Sequence, residues 1–253
     1  MNYDKLLQAI LDIAEEMLIA GAEASRVEDS VKRMCDAYGC NRVNVFVITS
    51  NIQVTMEDPN GRIITQIRRV TRSDVNFDRL DYLNNLSRFI CANLPPVEEL
   101  RKKFDEVMAR KQQPFAFSLL SGMAIGGSFA VFFGGNLMDG IAAALTGLAT
   151  VALNRVIERF GQNSLANIFS VSFVAGLLSV LTVYLGIGVH TDKIMIGVIM
   201  LLIPGIALTN GVRDMLTGDL VTGMLRVVNA VMLAIAIACG FALSLFLTRG
   251  GLI

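Results

Sequence analysis

Residues 115–253 hold five apolar stretches, at 115–133, 137–156, 165–185, 194–211 and 221–247. Each is close to the roughly 20 residues a helix needs to cross a bilayer core. In hydrocarbon every backbone N–H and C=O must find a partner inside the protein, and segments of this length meet that demand as helices. Residues 1–111 differ sharply, since they carry most of the charge in a chain that is only 17% charged overall. The formal net charge of zero averages two unlike parts. The expectation is an α-helical membrane protein with five transmembrane helices over 112–253, preceded by a small α+β cytoplasmic domain over 1–111. No basic face suggests nucleic acid as a partner.

Within residues 1–111 the order of elements is legible. Tyr3–Ile19 repeats apolar residues at Leu6, Leu7, Ile10, Leu11, Ala14, Met17 and Leu18, the period of a helix with one buried face. Gly21 ends it, and Ser25-Arg26-Val27-Glu28 reads as a capping box opening a second helix. Residues 43–50, 52–56 and 62–70 are extended and rich in β-branched side chains, with Asp58-Pro59-Asn60-Gly61 as a turn. Helical spacing returns over 77–93, Pro95-Pro96 breaks it, and a last helix follows over 97–111. The order is α-α-β-β-β-α-α.

Chemistry of the enzymatic kind is poorly provided for. Residues 1–111 contain no histidine, and no Gly-rich phosphate loop occurs, so neither catalytic residues nor a cofactor is expected. Cys35, Cys40, Cys91 and Cys239 match no zinc spacing, and His190 stands alone, so no metal site is expected. The N-terminus lacks a secretory signal pattern, and the thiols are expected to be free.

The membrane part offers more. Ser118, Gly122, Gly126, Ala130 and Gly134 recur every four residues, a small-residue ridge suited to close helix packing. Leu202-Ile203-Pro204-Gly205-Ile206-Ala207-Leu208-Thr209-Asn210-Gly211-Val212-Arg213-Asp214 breaks an apolar run with a Pro-Gly pair and ends in charge. Thr217-Gly218-Asp219 follows. Broken membrane helices beside polar side chains characterise transporter sites. Thr222, Arg226 and Asn229 then share one helix face. Arg226 either pairs with Asp214 or Asp219, attracts a substrate carboxylate, or reaches to the interface; Asn154 offers similar polar chemistry on the second span.

Lys and Arg residues set the expected orientation. Arg101, Lys102, Lys103, Arg110 and Lys111 precede the first span, Arg155 and Arg159 follow the second, and Arg213 follows the fourth. Only Lys193 and Arg249 lie on the other side. The positive-inside rule therefore predicts a cytoplasmic N-terminal domain and a C-terminus outside, with His190 in an outer loop.

Two stretches resemble signatures of the threonine/serine exporter (ThrE-type) family. One is Ala20-Gly21-Ala22-Glu23-Ala24-Ser25-Arg26-Val27-Glu28-Asp29-Ser30, with Ala37-Tyr38-Gly39 after it. The other runs from Ile203 through Asp214, with Gly218-Asp219-Leu220. The resemblance covers essentially the whole chain. It implies a subunit of a secondary transporter in the bacterial inner membrane, exporting small carboxylate-bearing metabolites: succinate, or threonine and serine. It also implies the larger, YjjP-like subunit of a split exporter, working with a small YjjB-like membrane subunit, as a homo-oligomer, or both. On this reading Pro204, Gly205, Thr209, Asn210, Arg213, Asp214, Asp219, Arg226, Asn229 and Asn154 serve the substrate path. Gly21, Glu23, Arg26 and Glu28 belong to the N-terminal signature. A membrane-anchored enzyme and a non-transporting sensor or assembly subunit are the alternatives.

Overall fold

A computed structural model of the chain describes residues 1–72, 74–110, 113–159 and 163–248. The chain forms two compact units, one of residues 1–112 with 209–227, the other of 113–208 with 228–253.

In the first unit, helix α1 (Tyr3–Ile19) is the central element and packs on helices and strands alike. Leu6, Leu7, Ile10, Leu11, Ile13 and Ala14 are fully buried, as the helical period requires. Asn2 caps its start by accepting from the Lys5 N–H at 3.1 Å. Its end is a Schellman turn: Ala22 N–H donates to Met17 C=O and Gly21 N–H to Leu18 C=O. Gly21 sits at φ +99°, a conformation that side chains with a Cβ resist.

Helix α2 (Ala24–Ala37) begins one residue before the expected cap. Ser25 lies inside it, so the capping box does not form. Glu28 instead turns away from its own helix and accepts the Val47 N–H at 2.8 Å. A tertiary partner outcompetes the local one. Strands β1 (Asn41–Ile48), β2 (Asn51–Glu57) and β3 (Ile63–Arg69) form an antiparallel meander in sequence order. In β2, Ile52, Val54 and Met56 alternate into the core. Helix α3 (Phe77–Asn93) follows, then Leu94-Pro95-Pro96 and α4 (Val97–Met108). The Tyr38 hydroxyl donates to Pro95 C=O at 2.6 Å, tying the end of α2 to this break. Helix α4 ends before the expected position 111, and Lys111 and Arg249 lie outside the described residues.

The second unit contains α5 (Phe115–Phe132), α6 (Leu137–Glu158), α7 (Ser164–Tyr184) and α8 (Thr191–Leu202). Helices α9 (Gly205–Leu216) and α10 (Leu220–Leu247) run across the division between units. Among the described residues, α5, α6, α7 and α10 are long and apolar enough to cross a membrane. The pair α8–α9, bent by 54° at Ile203-Pro204, makes up to a fifth crossing. The chain is thus mainly helical, with one small sheet near its start.

Of the small-residue ridge, Gly122, Gly126 and Ala130 are buried, whereas Ser118 and Gly134 are exposed. A Cβ on Gly126 would stand 2.7 Å from Ala143 C=O, and one on Gly147 would stand 2.5 Å from Gly122 C=O. Helices α5 and α6 therefore touch backbone to backbone. The start of α6 is fixed by Asn136 and Asp139, each accepting the other's backbone N–H. Asp139 is fully buried and accepts the Val189 and His190 N–H groups at 2.7 and 2.8 Å; its second oxygen meets His190 Nδ1 at 2.8 Å. His190 is thus a loop-fastening partner, a role its isolation in the sequence did not suggest.

Gly126→Ala is expected to destabilise the protein by about 1–3 kcal/mol, since a carbonyl and not a flexible side chain blocks the new methyl. Ser118→Ala, on the same row, is expected to stay within about 0.5 kcal/mol of wild type. Unfolding of the purified protein in detergent measures both.

Candidate functional site

The candidate site lies within the first unit, where residues 209–227 join residues 1–112. Its frame is the α9–α10 hairpin. Helix α9 closes with a second Schellman turn, in which Asp219 N–H donates to Asp214 C=O at 2.8 Å and Gly218 N–H to Met215 C=O at 3.3 Å. Gly218 takes φ +104° to allow it. Two further glycines bring the hairpin's arms together. A Cβ on Gly211 would lie 2.9 Å from Val227 Cγ2, and one on Gly223 would lie 2.6 Å from Gly211 C=O. No bulkier residue fits this crossing.

That closeness sets Asp214 of α9 against Arg226 of α10. Arg226 Nε lies 3.4 Å from Asp214 Oδ2, with the two side chains only 12% and 1% exposed. The geometry is that of an ion pair without a formed hydrogen bond: Asp214 Oδ2 has no hydrogen-bond partner. Arg226 donates to Ala22 C=O at 2.7 Å, so its guanidinium is shared between a carboxylate and the loop after α1. Removing two charges from water costs several kcal/mol per ion unless attraction and hydrogen bonds offset it. Here the offset is incomplete, because one buried carboxylate oxygen lacks a donor.

The N-terminal signature converges on the same hairpin. Glu23 accepts from Arg213 Nη1 at 2.5 Å and lies 4.0 Å from Arg26 Nε. Glu28 and Thr222 both bond to the Val47 peptide: Glu28 accepts its N–H, and the Thr222 hydroxyl donates to its C=O at 3.4 Å. Burial pushes the Glu28 carboxyl above its ordinary range, the Val47 N–H works against that, and the negative charge of Asp219 adds to it.

Arg226 therefore pairs with Asp214 and not with Asp219, and Arg213 is engaged by Glu23. Thr209 and Asn210 stand on α9 two turns or less before this pair. Pro204, Gly205, Asn154 and Asn229 belong to the second unit; Asn154 donates to Glu158 at 2.8 Å, and Asn229 is exposed. Sequence reading missed the contributions of Gly211, Gly223 and the Ala22 carbonyl. Glycines four residues or fewer from charged positions on both sides of a short turn were the available signal. Among the described residues no cluster of His, Cys, Asp and Glu suits a metal ion.

A family model described as "Putative threonine/serine exporter" matches residues 8–248. The chain belongs to the threonine/serine exporter family. It is 26% identical over 252 residues to the "Threonine/serine exporter" of Corynebacterium glutamicum, covering 94% of this chain and 50% of that protein. It is 25% identical over 248 residues to the "Probable threonine/serine exporter" of Mycobacterium tuberculosis, covering 95% of this chain and 46% of that one. It is 23% identical over 230 residues to the "Probable succinate transporter subunit YjjP" of Klebsiella aerogenes, covering 90% of this chain and 88% of that subunit. The chain thus spans about half the length of the first two relatives and most of the third. These names describe transport, not catalysis. No solved structure gives a significant match.

The raised Glu28 pKa gives a signed prediction. A carboxyl that holds its proton more tightly when folded adds stability at low pH. That stability is lost as pH rises from the ordinary glutamate value through the raised one. Glu28→Gln keeps an acceptor for Val47 N–H and removes the buried charge. The variant is expected to melt higher than wild type at neutral pH, with the difference vanishing in acid below about pH 4. Thermal unfolding across that range checks it.

Proposed function

We propose that this chain is the larger subunit of a secondary exporter of small carboxylate-bearing metabolites. Succinate-like dicarboxylates and the amino acids threonine and serine are the two candidate classes. The observation that carries the reading is the buried Asp214–Arg226 pair, with Arg213 beside it on the same hairpin. Family membership and the names of the relatives support export as the direction and a carboxylate-bearing cargo.

A cargo carboxylate matches the Arg226 guanidinium as Asp214 does, and a charge-assisted pair of this kind is among the stronger polar contacts. The proposed cycle begins with proton transfer to Asp214, which neutralises it and frees Arg226. The cargo carboxylate then takes the place of the aspartate, and release of the cargo restores the original pair once Asp214 loses its proton. The lone oxygen of Asp214 without a donor makes this exchange cheap compared with a fully bonded pair. Helix α9 starts directly after Pro204, and its first-turn amides and positive dipole end offer a second, separate point of attraction for an anion. Thr209 and Asn210, on the same helix as Asp214, supply polar lining, and Asp219 tunes the charge near Glu28. An ion gradient drives the cycle, since no nucleotide motif occurs in the sequence.

The chain is placed in a bacterial cytoplasmic membrane, multi-pass, with its α+β domain on the cytoplasmic side and its C-terminus outside. The distribution of Lys and Arg supports that orientation. A small YjjB-like membrane subunit, further copies of this chain, or both complete the path through the lipid; the subunit names of the YjjP relatives support a partner.

Proteoliposomes loaded with labelled succinate, threonine or serine, with and without the small subunit, test the reading. Gradient-dependent efflux of one compound is expected. Arg226→Gln is expected to abolish it, at a stability cost of about 3–5 kcal/mol because Asp214 is left buried and unpaired. The double variant Asp214→Asn with Arg226→Gln is expected to regain most of that stability and still show no efflux. Normal efflux from the folded double variant would overturn the assignment.

A further inference from the structure

Helices α2 and α3 face each other across polar stripes where an apolar seam would pack more tightly. On α2 the stripe is Arg26, Asp29 and Arg33, spaced by three and four residues; on α3 it is Asn84, Arg88 and Cys91, spaced likewise. Between them lies a cleft of about 480 Å³ lined by these side chains, with Ser87 among the lining residues and itself buried. This volume falls within the roughly 300–1,000 Å³ typical of small-molecule sites.

The charge of the lining is unbalanced. Three guanidiniums meet one carboxylate. That carboxylate, Asp29, is already taken by Arg33 at 2.8 Å. Arg26 has Glu23 only at 4.0 Å, and Glu23 is held by Arg213 at 2.5 Å. Arg88 makes no ion pair among the described residues. Two guanidiniums from facing helices thus reach one cleft without a full counter-charge of their own. The planar forks of arginine suit oxyanions, which they bind through paired N–H groups.

We propose that the α2–α3 cleft is a binding site for a small oxyanion carrying two negative charges, held by Arg26 and Arg88 with the Arg33–Asp29 pair as one wall. Two unneutralised guanidiniums set the charge of the ligand, and the cleft's volume sets its size. A dicarboxylate and inorganic phosphate share this chemistry. The site is separate from the Asp214–Arg226 pair and stands or falls independently of the export reading. Arg26 also links it to the hairpin. An anion that draws Arg26 into the cleft leaves Glu23 wholly to Arg213, so occupancy strengthens the grip of the N-terminal signature on α9. The cleft then serves as an effector site that couples the level of a dianion to the hairpin.

Titration calorimetry on the full chain carrying Asp214→Asn and Arg226→Gln, so that the proposed cargo site takes no part, tests this in detergent at constant ionic strength with succinate and inorganic phosphate as separate probes. At least one probe is expected to bind saturably. Arg88→Gln is expected to weaken that binding roughly tenfold or more, the effect of one charged hydrogen bond, and Arg26→Gln with Arg88→Gln to remove it. Cys91 locates the ligand. In a Cys239→Ser background, with Cys35 and Cys40 buried, the bound dianion is expected to slow maleimide reaction at Cys91. At ten times the half-saturating concentration the slowing approaches about tenfold. In the Asp214→Asn, Arg226→Gln background, no saturable binding of either probe, or binding that survives loss of both cleft arginines, would overturn the proposal.

Discussion

Asp214 and Arg226 are buried together because two helices approach too closely for any side chain to intervene. Gly211 and Gly223 make that approach possible, and the Schellman turn at Gly218 sets the register in which α10 returns along α9. Every other feature of the site follows from this crossing. The carboxylate is 1% exposed, its partner 12%, and the guanidinium also donates to the Ala22 carbonyl. A glycine replaced by a larger residue at either position would part the arms and let water to the pair. The charges would then cost less to separate, but they would no longer select one another.

The loop after α1 is built with similar economy. Gly21 reverses the chain in a left-handed turn, and the next two residues present a carbonyl to Arg226 and a carboxylate to Arg213. The Val47 peptide adds a third tie through Glu28 and Thr222. The two stretches that resemble family signatures are far apart in sequence, yet these contacts join them. The α+β unit therefore does more than accompany the apolar helices: its signature residues complete the polar shell around the hairpin's charges. In the proposed cycle, a change at Glu23 reaches Arg213 directly, and one at Arg26 reaches it through Glu23.

Much of this was legible in the sequence because it rests on local rules. The helical period of α1, the extended β-branched runs and the Pro-Gly break each correspond to an element of the structure. The failure at Ser25 is instructive. A capping box is a local pattern, and Glu28 satisfied a strand N–H across the fold in place of its own helix end. Pairing of Arg226 with Asp214 in preference to Asp219 was equally unreadable, since it depends on which glycines meet. The small-residue ridge was visible in α5; its counterparts Ala143 and Gly147 in α6 also stand four residues apart, but among the many alanines of that helix the spacing does not single them out as partners. His190 looked isolated because its carboxylate partner lies 51 positions away.

In the proposed cycle, cargo replaces Asp214 on Arg226 while Asp214 takes up a proton. Infrared difference spectroscopy of the lipid-reconstituted protein, before and after addition of succinate, threonine or serine, reads this directly. One of these compounds is expected to produce a protonated-carboxyl C=O band that is absent from Asp214→Asn. A spectrum unchanged by all three, or a band that persists when Asp214 is replaced, would contradict it.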